Sequence, residues 1–338
     1  MQQKSMTIQE VARLAGVSVA TVSRVLNNSP LVKENTREKV LDVIRKFDYQ
    51  PNLLGRDLRR LETMRVLVLT PTLERSIFAD IVQGIEDRGK EDGYYVLVCP
   101  TSNYAERERE LFQMLQTRLA DGVIVISTTL SKEELSALGQ KHSIVQCLEF
   151  TDASYTCSVS IDDEQAAFDA VSHLVELGHR RIAMIGGSTI NLSTRLREQG
   201  YRRALEQFGI PFREEWVKYG DYEHVDGEAL ANELMKLPEP PKAIFCMSDS
   251  MGVGCINAVR KAGRRVPEDI AVVGFDNTRE ATMSLPELTT IHQPKYDLGR
   301  TAMKMLIHNM TGSNKTYENV ILPYTLIARA SSVATAAE

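Results

Sequence analysis

Residues Met6 to Asn27 read MTIQEVARLAGVSVATVSRVLN, and this stretch decides the architecture at one end of the chain. It reads as two short helices, over 7–14 and 18–26, broken at Gly16. Thr7 and Glu10 have the S/T-x-x-E spacing of a capping box, which marks where the first helix begins. Ile8, Val11, Ala12 and Ala15, continued by Val17, Val22 and Val25, recur at helical spacing and can knit the two helices together. That leaves Ser18, Val19, Ala20, Thr21, Ser23 and Arg24 facing outward. A second helix crowded with small and polar residues is what a helix-turn-helix needs in order to lie in a DNA major groove.

Working outward, Asn28-Ser29-Pro30 breaks the second helix, and Glu34 to Phe47 repeats apolar residues at Val40, Leu41, Val43, Ile44 and Phe47. A third helix therefore closes a small all-α headpiece over 1–51. The basic segment NLLGRDLRRLE (52–62) follows. It is too short to be stable alone as a helix and reads as a linker. Residues 1–62 carry 11 Lys and Arg against 7 Asp and Glu, whereas the rest carries 29 against 38. The overall charge of −5 thus hides a basic head on an acidic body, the balance expected of a DNA-binding domain fused to a part that does not bind DNA.

From Arg65 onward, short β-rich runs alternate with amphipathic stretches. VLVLT (66–70), YYVLVC (94–99), GVIVIS (122–127) and SIVQCL (143–148) enclose helices near 77–91, 104–118 and 132–139. SVSI (158–161), RIAMIGG (181–187), KAIFCM (242–247) and IAVVGF (270–275) accompany helices at 163–177, 195–208 and 250–262. Such alternation implies parallel sheets covered by helices. The strands are too many for one unit, so the fold class expected is α/β, with two doubly wound subdomains facing each other behind the headpiece. A content of 43% hydrophobic and 25% charged residues fits a soluble globular protein. No apolar run is long enough for a membrane span, and the N-terminus lacks the apolar core of a signal peptide. Five scattered cysteines without C-x-x-C spacing read as buried free thiols in a reducing cytoplasm.

These blocks resemble the LacI/GalR family of bacterial transcription regulators. The resemblance rests on TIQEVARLAGVSVATVSRVLN (7–27), TREKV (36–40) and DYQPN (48–52) in the headpiece. In the body it rests on VSIDDEQAAFDAVSHLVELGHRRIAMIGG (159–187), RLREQGYRRAL (195–205), SDSMGVG (248–254), VPEDIAVVGFDN (266–277) and LTTIHQPKYDLGRTAM (288–303). It implies a headpiece, a hinge helix over 52–62, and a periplasmic-binding-protein-like core that binds a small effector and dimerises. The core's first subdomain is expected over 63–160 and 292–322, its second over 161–291 and 323–332, with a frayed tail at 333–338. No cofactor is implied.

By this resemblance Val19, Ala20 and Arg24 stand nearest the base edges. Arg24 can donate two hydrogen bonds to guanine, or remain a solvated charge. Ser18, Thr21, Ser23 and Asn27 suit phosphates, as does Thr7 at the first helix's amino end; Ser18 reads equally as a plain N-cap. Tyr49, Asn52, Gly55 and Leu58 complete the expected DNA set. Leu58 is the expected minor-groove wedge, its alternative being an ordinary packing residue of a linker. Gly55, where relatives commonly have alanine, costs about 1 kcal/mol of helix propensity. One wedge on each of two protomers requires a homodimer and a roughly palindromic double-stranded operator.

For the effector, ligands in open α/β sheets sit beyond the carboxyl ends of the strands. Asp249 and Asp276 follow strands, and with Arg197 they match family positions that grip a polyol-like ligand; each acid reads also as a helix cap. Phe78 and Tyr222 are candidate aromatic platforms or plain cleft-wall residues, and Gln293 lies where the chain crosses between subdomains. The loop TPTLERSIFADI (70–81) and Ser248 depart from the common pattern, so a sugar, a sugar phosphate and a nucleoside all stay open. The acidic core does not favour a strongly anionic ligand, although a local arginine cluster could overcome this. Gly186-Gly187-Ser188 lacks a phosphate-loop signature, the six histidines show no metal spacing, and no nucleophile motif stands out, which argues against an enzyme. Inducer control, corepressor control and a protein partner all remain open. A binding protein without a DNA role would have no use for residues 6–60.

Overall fold

The computed structural model describes residues 6–26, 29–49, 62–312 and 315–333. Asn27, Asn52, Gly55 and Leu58, together with most of the expected hinge and tail, lie outside the described residues. The chain divides into two compact units, Met1–Thr63 and Met64–Glu338.

The first unit holds α1 (Ile8–Ala15), α2 (Val19–Leu26) and α3 (Glu34–Lys46). Val11, Val22 and Val40 are fully buried where the three helices meet. Each is an apolar residue that the helical spacing turns inward, so the small core follows directly from the sequence pattern.

In the second unit β1 (Arg65–Thr70), β2 (Tyr95–Pro100), β3 (Gly122–Val125), β4 (Ser143–Cys147) and β5 (Cys157–Ser160) form the first sheet. The second contains β6 (Ile182–Gly186), β7 (Val217–Tyr219), β8 (Ala243–Cys246), β9 (Ala271–Asp276) and β10 (Thr289–His292). Two late strands, β11 (Asn319–Ile321) and β12 (Thr325–Ile327), join one sheet each. The strand orders are β11-β5-β4-β3-β1-β2 and β12-β10-β9-β8-β6-β7. Every pairing is parallel except β10 with β12. The chain therefore crosses between lobes after β5, after β10 and after β11.

Parallel strands must be covered on both faces, which explains their continuous apolar runs. In β1, Val66 and Val68 pack with Ile81, Ile85, Leu298 and Met303 on one face. Leu67 and Leu69 pack with Leu111, Phe112 and Leu135 on the other. All four β1 residues are fully buried, each worth about 1.5–3 kcal/mol relative to exposure. The helices of the second unit are α4 (Ser76–Glu91), α5 (Ala105–Gln116), α6 (Lys132–Lys141), α7 (Asp163–Glu176), α8 (Leu192–Gln207), α9 (His224–Met235), α10 (Asp249–Lys261), α11 (Arg279–Met283) and α12 (Lys295–Thr311).

Several helix pairs touch backbone to backbone through glycine. A Cβ on Gly84 of α4 would stand 2.1 Å from the Tyr296 carbonyl oxygen, and one on Gly299 of α12 would stand 2.0 Å from that of Ile81. The other lobe repeats the device between α9 and α10, where Gly227 and Gly254 each face a carbonyl oxygen at 2.1 Å.

The sequence reading leaves β7, α9, α11, β10, α12, β11 and β12 unassigned, and it starts α8 three residues late, at 195 instead of Leu192. All five cysteines are free; four are buried and Cys99 is half-buried. Among the described residues no helix is long and apolar enough to cross a membrane, and no group of three or more His, Cys, Asp or Glu could hold a metal.

Candidate functional site

In the headpiece the caps set the angle at which α2 is presented. The Thr7 hydroxyl accepts from the Glu10 amide at 3.3 Å, and the Glu10 carboxylate accepts from the Thr7 amide at 2.7 Å, completing the capping box. Gly16 ends α1 at a φ of 66°, a left-handed conformation that glycine adopts without steric penalty. Two residues later the Ser18 hydroxyl accepts from the Thr21 amide at 3.2 Å and shares a hydrogen bond with the Thr21 hydroxyl at 2.9 Å. Ser18 is thus an N-cap. Ser18, Ala20 and Arg24 are exposed, Thr21 and Ser23 are half-exposed, and Val19 is half-buried against the headpiece core. The Tyr49 side chain is buried in that core.

In the second unit a cavity of about 760 Å³ lies between the lobes, well within the range of small-molecule sites. Its walls are the loops after β1, β2, β3 and β4 on one side and after β6, β7, β8 and β9 on the other. Phe78, Arg197, Tyr222 and Asp276 all line it, as the sequence reading expects.

Arg197 is held from several sides. Its Nε and Nη2 each reach Asp163 Oδ1 at 2.8 Å, and Nη1 donates to the Met247 carbonyl at 2.6 Å. The guanidinium stacks 3.7 Å from the centre of the Phe275 ring and stands 4.0 Å from Asp276. Burial opposes its charge, but Asp163 and Asp276 outweigh burial and hold its pKa above the ordinary range. Asp276 adopts a φ of 105° and is followed by Asn277 at 51°, both uncommon for residues with a Cβ. The crossover after β10 fixes this turn. Gln293 Nε2 donates to Asp276 Oδ1 at 2.7 Å, and Lys295 Nζ donates to the carbonyls of Asp276 and Asn277 at 2.7 and 2.9 Å. Burial raises the Asp276 carboxyl above its usual range.

Tyr222 also has positive φ, 66°. Its hydroxyl meets that of Thr194 at 2.5 Å, and the Arg75 guanidinium stacks 4.9 Å from its ring centre. The ring fits because residue 187 is glycine, where a Cβ would stand 1.8 Å from a ring carbon.

Two expected effector residues are not in the cavity wall. Asp249 is fully buried as the first residue of α10. Its carboxylate turns to the Thr278 amide at 2.6 Å and to the hydroxyls of Thr278 and Thr290 at 3.1 and 2.5 Å. Burial, with Asp276 nearby, raises its pKa to about 7. Gln293 is likewise fully buried; its Nε2 donates to Asp276, while its Oε1 has no hydrogen-bond partner among the described residues. Both stand behind the wall and brace it. Neither acid is a helix N-cap, since Ser248 takes that place for α10 and Thr278 for α11.

Other residues emerge only in three dimensions. Arg75 reaches across the cleft to the Asp221 carbonyl at 2.5 Å and to Glu223 at 3.5 Å. Ser76 donates to Glu280 at 2.8 Å, and the Ser193 amide and hydroxyl donate to Glu149. On the outer wall a fully buried Glu108 accepts from the hydroxyls of Thr128 and Thr129 and from the Thr129 amide, fixing that lip. The available signal was positional: each lining segment follows the carboxyl end of a strand.

Residues 7–52 match the family described as bacterial regulatory proteins, lacI family, and residues 171–332 match a periplasmic binding protein-like domain. Catabolite control protein A of Priestia megaterium is 36% identical over 332 residues, covering 97% of this chain and 99% of that protein. The solved lac repressor dimer, bound to operator and the anti-inducer ONPF, superposes with a TM-score of 0.88 at 28% identity, covering 98% of this chain and 100% of that one. The complex of the transcriptional regulator CelR with cellobiose superposes at 0.74, with 31% identity and coverage of 96% and 99%. With matches to both of its parts and alignment along nearly the whole length, the chain belongs to the LacI family of bacterial regulatory proteins and is a DNA-binding transcriptional repressor, not an enzyme.

Proposed function

We propose that this repressor binds a pseudo-palindromic operator as a homodimer in the cytoplasm and is gated by a small effector held between the lobes. The carrying observation is the coexistence, in one chain, of a capped helix presenting Ser18, Ala20 and Arg24 with a deep polar cleft walled by Arg197, Asp276, Tyr222 and Phe78. Arg24 is assigned to a base edge, Thr7, Ser18, Thr21, Ser23 and Asn27 to phosphates, and Leu58 to the wedge at the centre of the site. The solved complexes of two similar proteins, one with operator and one with cellobiose, support both halves of the reading. The effector acts as an inducer: closing of the lobes on it shifts the headpieces and weakens operator binding.

The test is operator affinity, by fluorescence anisotropy, across a panel of metabolites. Tenfold or greater weakening by one compound supports induction. Strengthening by a compound would reverse the sign of control, and no change with any compound that binds the protein would refute gating.

A further inference from the structure

We infer that the cleft takes a hydroxyl-rich ligand with no anionic group, either uncharged or amine-bearing, and rejects phosphate esters. The inference rests on the effector reading above and narrows it to a ligand class.

The first ground is charge. Among the described residues the wall carries the carboxylates of Glu74, Glu149, Asp221, Glu223, Asp276 and Glu280 against only two guanidiniums, with no lysine or histidine. Both guanidiniums are already engaged. Arg197 is fixed by Asp163, the Met247 carbonyl and the Phe275 ring, while Arg75 spans the cleft to the Asp221 carbonyl and Glu223. Drawing Arg197 onto a phosphate would strip Asp163 of its partner, and a buried carboxylate left without its cation is strongly unfavourable. Lys295 does not help, because its ammonium donates to the carbonyls of Asp276 and Asn277.

The second ground is where two of these carboxylates sit. Helix N-termini are the usual seats for anions in such clefts, because their free amides and dipole favour negative charge. Here the chain seats its own carboxylates there. Glu149 accepts from the amide and hydroxyl of Ser193 in the first turn of α8. Glu280 accepts from the Ser76 hydroxyl at the start of α4. An incoming anion would find the Ser193 amide taken and a carboxylate beside the start of both α8 and α4.

What the wall offers instead suits hydroxyls. Carboxylates accept from ligand O–H groups in charge-assisted bonds, Asn103 and Asn191 supply further donors and acceptors, and the oxygens of Thr128 and Thr129, whose hydrogens go to Glu108, can accept. Tyr222 and Phe78 provide apolar faces.

The experiment is isothermal titration of the full-length protein near neutral pH with D-glucose, D-ribose, cellobiose, D-glucosamine and uridine. The esters glucose 6-phosphate, ribose 5-phosphate and uridine monophosphate run in parallel. The expected result is binding by at least one unphosphorylated compound, with esters weaker than their parents by roughly tenfold or more. An ester that binds as well as its parent overturns the inference, and so does a panel in which no unphosphorylated compound binds at millimolar concentration. The double variant Glu149→Gln/Glu280→Gln should narrow the gap between parent and ester; an unchanged gap overturns the electrostatic cause. Operator affinity measured alongside separates the two readings. An ester that binds and releases operator sinks the ligand class and leaves effector gating standing, whereas a neutral ligand that binds without altering operator affinity does the reverse.

Discussion

Replacing Arg197 with methionine tests the electrostatic centre of the cleft. Methionine keeps much of the side-chain length and apolar bulk but removes every donor. Asp163, 3% exposed, then loses both contacts at 2.8 Å, the Met247 carbonyl loses its donor, and Asp276 loses its nearest cation. Breaking a buried pair by removing one partner costs about 3–5 kcal/mol. At about 2–4 °C per kcal/mol for a domain approaching this size, the melting temperature of the core should fall by roughly 6–20 °C. The pH dependence supplies a sharper check. Burial already raises the Asp163 and Asp276 carboxyls in wild type, with Arg197 holding both down, so without the guanidinium their folded-state pKa values rise further above the unfolded ones. The variant's stability is then fullest below the unfolded pKa and is lost as pH rises through the folded values. The deficit against wild type should therefore shrink on acidification. Calorimetry on wild type, Arg197→Met and Arg197→Met/Asp163→Asn at mildly acidic and mildly alkaline pH reads all of this. The double variant should be less destabilised than the single one, because no buried charge is left alone at residue 163. A loss under about 1 kcal/mol for the single variant, or a deficit that does not change with pH, would refute the account.

Four further outcomes are expected. The Asp249 carboxyl, raised to about 7 from 3.8 by burial, makes wild type lose stability as pH rises across that window. The wild-type minus Asp249→Asn difference in unfolding free energy should thus slope downward there, and parallel curves would show that Asp249 does not titrate differently on folding. Gly187→Ala places a methyl group on the Tyr222 ring and should cost about 1–3 kcal/mol in chemical denaturation; a neutral effect would mean that the ring is not seated as described. Thr7→Ala breaks the capping box and should destabilise the headpiece by about 1 kcal/mol, read from its thermal transition by circular dichroism. Arg24→Ala should relax base preference at one operator position in a competition assay, and unchanged discrimination would rule out a reading role.

How much of this was legible in the sequence depended on range. The first two helices were readable because their signals are local: Thr7 and Glu10 lie three residues apart, and Gly16 follows the last apolar turn. The long buried strands were readable because covering both faces demands unbroken apolar runs, as in β1 and β9. Strands β7, β11 and β12 were missed for the opposite reason. Each is three residues long and only partly buried at a sheet edge, with no distinctive pattern to show. In the cleft, the position of Asp276 after a strand was readable, but the depth of Asp249 was not. Both acids follow strands, and it is Thr278 and Thr290, distant in sequence, that decide that Asp249 turns away. Arg75, Glu149 and Glu280 were invisible for the same reason, since their partners lie on the opposite lobe.

The glycine contacts between helices have a mechanical consequence. Where Gly84 and Gly299, or Gly227 and Gly254, let backbones touch, neither helix can slide without driving a carbonyl into its neighbour. A lobe clamped in this way does not absorb a ligand as gradual strain. It is built to turn as one piece about three crossings, each only a few residues long. Small displacements of the Arg75, Ser76 and Ser193 bridges at the mouth are thereby converted into an angle between two stiff bodies, and the distance from the pivot sets the gain.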